Sequence, residues 1–188
     1  MADTKQSLER IESPGITVVS DAAMTVASLR YFVADGGFAA AVRRHLGVDL
    51  PIDPNSIAIA DRPTTLLAWR RPGECLLISP EFGLADELVT TSGGLSDGRA
   101  INLTDGTCVL RIGGHRSAEL LSRMSCHGSI PLADSARATR VAELPVVLIR
   151  ALSDEVLLLI DRLYVEHLMQ WIRASIADFA VHSDSPSN

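Results

Sequence analysis

The side chains with the widest chemical range in this chain are its histidines and cysteines, and their spacing builds no recognisable reaction centre. Cys126-His127 is the most suggestive pair, because a thiolate beside an imidazole can hold a metal or attack a carbonyl. No third ligand stands at a useful spacing, so a loop position is the plainer reading. His115 follows Gly113-Gly114 at an expected helix start, where backbone N–H groups and Arg116 could hold an anion. A tight strand-to-helix turn explains the same residues without a ligand. His45, beside Arg43 and Arg44, reads as a solvated helix face, His167 as a packed or exposed helical residue, and His182 as part of a C-terminal tail. Cys75, Cys108 and Cys126 are odd in number and widely spaced, which argues against a disulfide framework and for a reducing compartment.

Arginine carries most of the remaining chemistry: of 17 basic residues, Lys5 alone is lysine. Arg70 and Arg71 fall on an expected hairpin tip beside Trp69, and tryptophan and arginine are enriched where binding energy concentrates. This tip is a candidate interface, and charge reversal at both arginines is expected to weaken assembly more than folding. The bland alternative is an exposed turn with a half-buried tryptophan. Arg30 and Arg111 sit at expected strand ends, where a guanidinium can grip a carboxylate inside the fold or across an interface; the internal role is favoured for both. No two glycines stand in a G-x-G spacing, and the P-loop, H-E-x-x-H and G-x-S-x-G patterns are absent. No residue is assigned a catalytic, cofactor-binding or metal-binding role.

The elements that must position these groups follow from composition and pattern. A chain of 188 residues with 47% hydrophobic and 21% charged residues can bury a core, built mainly from Leu, Ile, Val and Ala because aromatics make up 4%. A net charge of −6 gives no overall pull on nucleic acid or anionic lipid. The N-terminal residues lack the apolar segment of a secretory signal, and the longest apolar runs are too short to cross a bilayer, so a cytoplasmic protein with no membrane contact is expected.

Residues 1–15 and 181–188 read as polar tails. Between them, Ile16 to Val19, Ser28 to Val33, Thr64 to Trp69 and Cys75 to Ile78 read as strands. Asp35 is placed to cap a helix carrying Phe38, Val42 and Leu46 on one face, and Ser79-Pro80-Glu81 to start another. Arg71-Pro72-Gly73-Glu74 fits a type II turn. In the second half, Asp105-Gly106 signals a hairpin between Ile101 to Leu103 and Cys108 to Ile112. A helix with Ala118, Leu121 and Met124 inward follows, then extended segments Arg140 to Leu144 and Val146 to Ile149 separated by Pro145, a turn at Ser153-Asp154, and a strand Val156 to Ile160. The last helix places Tyr164, Leu168, Trp171, Ile172 and Ile176 in one stripe. Leu163, Val165 and Met169 fall away from it, and that excess apolar surface makes Leu163 and Met169 interface candidates.

The halves superpose at a constant offset of 81 (110 less 29): Leu29-Arg30 falls on Leu110-Arg111, Glu74 on Glu155, and Leu76-Leu77-Ile78 on Leu157-Leu158-Leu159. Two related βαββα units, about 16–92 and 99–180, are therefore expected to pack into one α+β domain spanning 16–180, with a ferredoxin-like split unit as the nearest simple motif.

Three stretches carry a family resemblance: Asn102-Leu103-Thr104-Asp105 with Val109 to Gly114 and Ala118 to Leu121; Glu155 to Asp161 with Tyr164 to Leu168 and Trp171-Ile172; and Leu46 to Pro51 with Trp69 to Leu77. Their order and spacing resemble the gamma subunit of heterotetrameric sarcosine oxidase over roughly residues 16–178. The resemblance implies a fold like the folate-binding T-protein of the glycine cleavage system and a structural, non-catalytic role in oxidative sarcosine demethylation. It implies an alpha subunit as main partner, with beta and delta subunits, and FAD, FMN, NAD and tetrahydrofolate held in those partners. Arg111 joins Trp69, Arg70, Arg71, Leu163 and Met169 as an interface candidate. Two neighbouring readings stay open: the equivalent subunit of N-methylglutamate dehydrogenase, and a stand-alone folate-binding protein of the T-protein or YgfZ type. The YgfZ-like K-G-C-Y-x-G-Q-E signature is absent.

Overall fold

The structure is a computed structural model, and it describes residues 10–62, 64–151 and 155–183. The strands are β1 (Arg10–Ser13), β2 (Ile16–Ser20), β3 (Thr25–Tyr31), β4 (Ile57–Ile59), β5 (Leu66–Arg71), β6 (Glu74–Ser79), β7 (Gly98–Asn102), β8 (Thr107–Gly113), β9 (Ser135–Val141), β10 (Leu144–Arg150) and β11 (Val156–Asp161). The helices are α1 (Gly37–Leu46), α2 (Leu84–Ser92), α3 (Ser117–Met124) and α4 (Val165–Ser183).

Two antiparallel sheets form, in the orders β1-β2-β8-β11-β10-β9 and β4-β5-β6-β3-β7. Alternation along the central strands explains how they stack. On β3, Ala27, Leu29 and Tyr31 face α1 and α2, while Val26 faces the other sheet. On β11, Val156, Leu158 and Ile160 join α3 and α4, while Leu157 and Leu159 face inward between the sheets. Buried on both faces, such strands read as near-continuous apolar runs. The result is a four-layer α+β sandwich with one core under each helix pair and a third between the sheets.

The offset of 81 carries β2 onto β7, β3 onto β8, α1 onto α3, β4, β5 and β6 onto β9, β10 and β11, and the first residue of α2 onto the first of α4. Each half thus supplies four strands to its own sheet. Its leading strand goes to the other sheet: β2 pairs with β8, and β7 with β3. The Asp105-Gly106 hairpin expected from the sequence therefore does not form. After β7, the Leu103 N–H bonds the Val26 carbonyl, and residues 103–106 then cross between sheets. Arg162 holds that crossing by donating to the carbonyls of Thr104, Asp105 and Thr107.

Other local expectations are also corrected. Asp35 does not cap α1. The cap comes from Asp97, 59 residues away, whose two carboxylate oxygens accept from the Phe38 N–H at 3.2 and 3.1 Å. A Cβ on Gly36 would lie 2.0 Å from that carboxylate, so glycine is needed here for close approach. Ser79 does not start α2; its Oγ accepts from the Glu81 N–H, and the helix begins at Leu84. Pro145 lies inside β10, and the β9–β10 turn falls at Ala142-Glu143, both at positive φ. On α3, Leu120 points inward while Ala118 is exposed. Arg10–Ser13, assigned to the polar tail, form β1 against β2, and α4 runs past residue 180 to carry His182. Trp171 and Tyr164 do not join the core stripe of α4, which is Leu168, Met169, Ile172 and Phe179. The Ser153-Asp154 turn lies outside the described residues. The Gly73 turn forms as expected, with φ +73° at the glycine.

Candidate partner surface

The strongest electrostatic feature is a buried carboxylate. Glu74 opens β6 and is 2% exposed. Its Oε1 accepts from Ser28 Oγ at 2.7 Å and from Arg70 Nη1 at 2.9 Å, and its Oε2 accepts from Arg71 Nε. Arg30 Nε lies 3.8 Å from the same Oε2. Regular alternation would send Arg70 and Arg71 to opposite faces of β5. A register shift between Trp69 and Arg71 lets both reach one carboxylate. Burial alone pushes the Glu74 carboxyl up, but the Ser28 hydrogen bond, the Arg71 hydrogen bond and the Arg70 and Arg71 charges together hold it below its ordinary value. Beside it, burial and the Glu74 charge push the Cys75 thiol far up, so Cys75 stays a neutral core residue.

Arg70 and Arg71 are thus more than an exposed tip. They neutralise Glu74, so reversing both charges strikes the fold as well as any interface. Trp69 is half-buried on β5. Arg111 forms an internal pair, donating to Asp21 at 2.8 Å with Glu155 at 3.5 Å. Met169 is fully buried in the core under α3 and α4, which corrects its candidacy for an interface. Leu163 is 85% exposed, and Tyr164 beside it is partly exposed and lines a cleft between the sheets. The chain does not bring its six candidates together; Arg70, Arg71 and Trp69 share β5, and Leu163 stands at the entrance to α4.

The histidine and cysteine candidates stay dispersed. His45 meets Glu87 at 3.1 Å, and His167 Nε2 accepts from the Trp171 indole at 3.2 Å. Arg116, offered as an anion ligand, instead binds Glu119 and stacks on Phe179, with Arg123 on the same ring. Cys126 and His127 are both exposed. Among the described residues, no group of three or more His, Cys, Asp or Glu gathers as a metal site, and no helix is long and apolar enough to cross a membrane.

Phe82, 98% exposed, was missed from the sequence. The offset of 81 places it on Leu163, so the duplication itself was the signal: both halves put an exposed apolar residue just before their second helix. Arg140 was read only as part of a strand. It lines the same cleft as Arg30, Arg70 and Tyr164.

These features define a duplicated two-sheet α+β protein whose fold is that of the aminomethyltransferases. The glycine cleavage system aminomethyltransferase T from Bartonella henselae superposes at a TM-score of 0.64 with 11% identity, over 85% of this chain and 45% of that one. A chain of the heterotetrameric sarcosine oxidase from Corynebacterium sp. U-96, solved with pyrrole 2-carboxylate, superposes at 0.79 with 25% identity, over 95% of this chain and 91% of that one. The model of the sarcosine oxidase, gamma subunit family matches residues 30–178. Sarcosine oxidase subunit gamma from Arthrobacter sp. is 36% identical over 146 residues, covering 75% of this chain and 70% of its own length. Its counterpart from Corynebacterium sp. (strain P-1) is 32% identical over 161 residues, covering 83% and 77%. The chain belongs to the sarcosine oxidase gamma subunit family.

Proposed function

We propose that this chain is the gamma subunit of a cytoplasmic heterotetrameric sarcosine oxidase, and that its role in the oxidative demethylation of sarcosine is structural rather than catalytic. The alpha subunit is its main partner, with beta and delta subunits completing the complex. FAD, FMN, NAD and tetrahydrofolate reside in those partners. The observation that carries this reading is the extent of the likeness: 95% of the chain follows one chain of a heterotetrameric sarcosine oxidase. The polar chemistry of the chain fits it. Glu74, Arg70, Arg71, Arg111 and Arg162 are engaged in holding strands and crossings in place.

Affinity purification of the tagged chain from its native host tests the reading. The expected result is a yellow complex with larger subunits that oxidises sarcosine. A colourless, partner-free chain overturns it. A flavin complex that prefers N-methylglutamate keeps the structural role and changes the enzyme.

A further inference from the structure

The two ends of the space between the sheets are related by the duplication, yet they differ in charge. At one end a cleft of about 670 Å³ is lined by Arg30, Arg70, Arg140 and Tyr164, with Asp161 as the acid on its wall. At the other, a cleft of about 280 Å³ is lined by Arg111, Glu155, Ile59 and Ala151. The offset of 81 matches Arg30 to Arg111, Arg140 to Ile59 and Arg70 to Ala151. The sandwich therefore closes with an isoleucine and an alanine at the positions where the larger cleft has guanidinium groups. Packing the sheets does not require Arg140, while Arg70 also serves the buried Glu74.

Nor does local neutralisation use up the charge. Arg30, Arg70 and Arg71 gather on the single Glu74 carboxylate, three positive groups against one negative. Among the described residues, the buried Arg30 Nε finds no hydrogen-bond partner. Among the described residues, Arg140 pairs with Glu143 at 3.6 Å, and both side chains are largely exposed. Asp161 is engaged in accepting from the Leu163 N–H at 2.9 Å. In a chain of net charge −6, this cleft is a local positive surplus. Tyr164 lines the cleft, and Leu163, its neighbour in sequence, is exposed.

We propose that this arginine-lined cleft is the docking site for a carboxylate-bearing segment of a larger partner subunit, whose apolar neighbour packs on Leu163 and Tyr164. The inference rests on the subunit reading. Guanidinium groups match carboxylates with paired, charge-assisted hydrogen bonds, and the adjacent Leu and Tyr supply the apolar contact that excludes water from them.

Partner recovery in the native complex tests it with three single variants: Arg140→Glu, Leu163→Asp, and Phe82→Asp as the control at the position matching Leu163 in the other half. All three side chains are exposed, so unchanged thermal melts are expected and confirm folding. Arg140→Glu and Leu163→Asp should each lower recovery of the larger subunits by about tenfold or more while Phe82→Asp retains them, and recovery by the wild-type chain should fall as salt rises. Wild-type recovery by both cleft variants overturns the docking site, as does loss confined to Phe82→Asp. Saturable calorimetric binding of glutarate by the full chain, abolished by Arg140→Glu with assembly intact, would assign the cleft to a small anion instead. Failure of the wild-type chain itself to recover any partner overturns the subunit reading along with the site.

Discussion

Arg30 with Glu74 and Arg111 with Glu155 are the same arginine–carboxylate arrangement written twice, at matching places in the two halves, and the chain has treated them differently. Glu74 is sealed beneath three arginines and a serine hydroxyl. Glu155 is about half exposed, and its arginine reaches across to Asp21 at 2.8 Å. Duplication supplies the pairing, but surroundings decide its worth. A carboxylate taken out of water depends on every partner it has, whereas one at the surface is screened and replaceable.

Core substitutions are the broadest way to sharpen this comparison. Leu29→Ala and Leu110→Ala remove matching, fully buried side chains, and each should cost about 3–4 kcal/mol in urea unfolding. Equal losses would show that the two hydrophobic halves are equivalent where the two polar pairs are not. Next comes the carboxylate contrast itself. Glu74→Ala should destabilise by on the order of 3 kcal/mol, because it leaves the arginines gathered around an uncompensated site. Glu155→Ala should cost under about 1 kcal/mol. Similar costs at both positions would break the comparison.

A smaller effect separates the two helix starts. Asp97→Ala should cost about 1 kcal/mol through loss of the α1 cap, while Asp35→Ala should stay within about 0.5 kcal/mol of wild type. Finally, pH distinguishes Glu74 without removing its volume. Its carboxyl is held below the ordinary value in the folded chain, so its contribution is complete above the unfolded value of about 4.3 and is lost as pH falls through the folded one. Glu74→Gln should therefore flatten the acid side of the stability curve. A slope identical to wild type would assign acid sensitivity to other groups.

What could be read from the residues followed from local pattern plus the repeat. The constant offset located strand, helix and turn, because the central strands are buried on both faces and leave unbroken apolar runs. It failed where partners are distant in sequence. Asp97 caps α1 because the fold brings β7 to its start, and nothing near Asp35 records that. The dipeptide Asp105-Gly106 suits a hairpin, yet β7 gains more by completing the other sheet. Leu163 and Met169 both read as surplus apolar surface, yet Leu163 is exposed and Met169 is buried. On α4 the inward face is set by what α3 and the sheet present, and that rotates the stripe from Tyr164 and Trp171 toward Met169 and Phe179. Arg30 and Arg70 stood out singly, but their grouping with Arg140 around one cleft did not, because alternation along one strand carries no information about which groups another strand sets opposite.

The exchange of leading strands has a consequence for how the molecule comes into being. While the first half leaves the ribosome, β3 stands as a raw edge, since its neighbour β7 lies beyond α2 and has not yet been made. The earlier strand β2 is in turn a stranded donor whose acceptor, β8, comes later still. Neither half can finish alone, so the nascent chain spends its synthesis with unpaired strand edges that another copy could capture. Completion is a single event reserved for the arrival of the second half, and a product interrupted after α2 would carry both edges into solution.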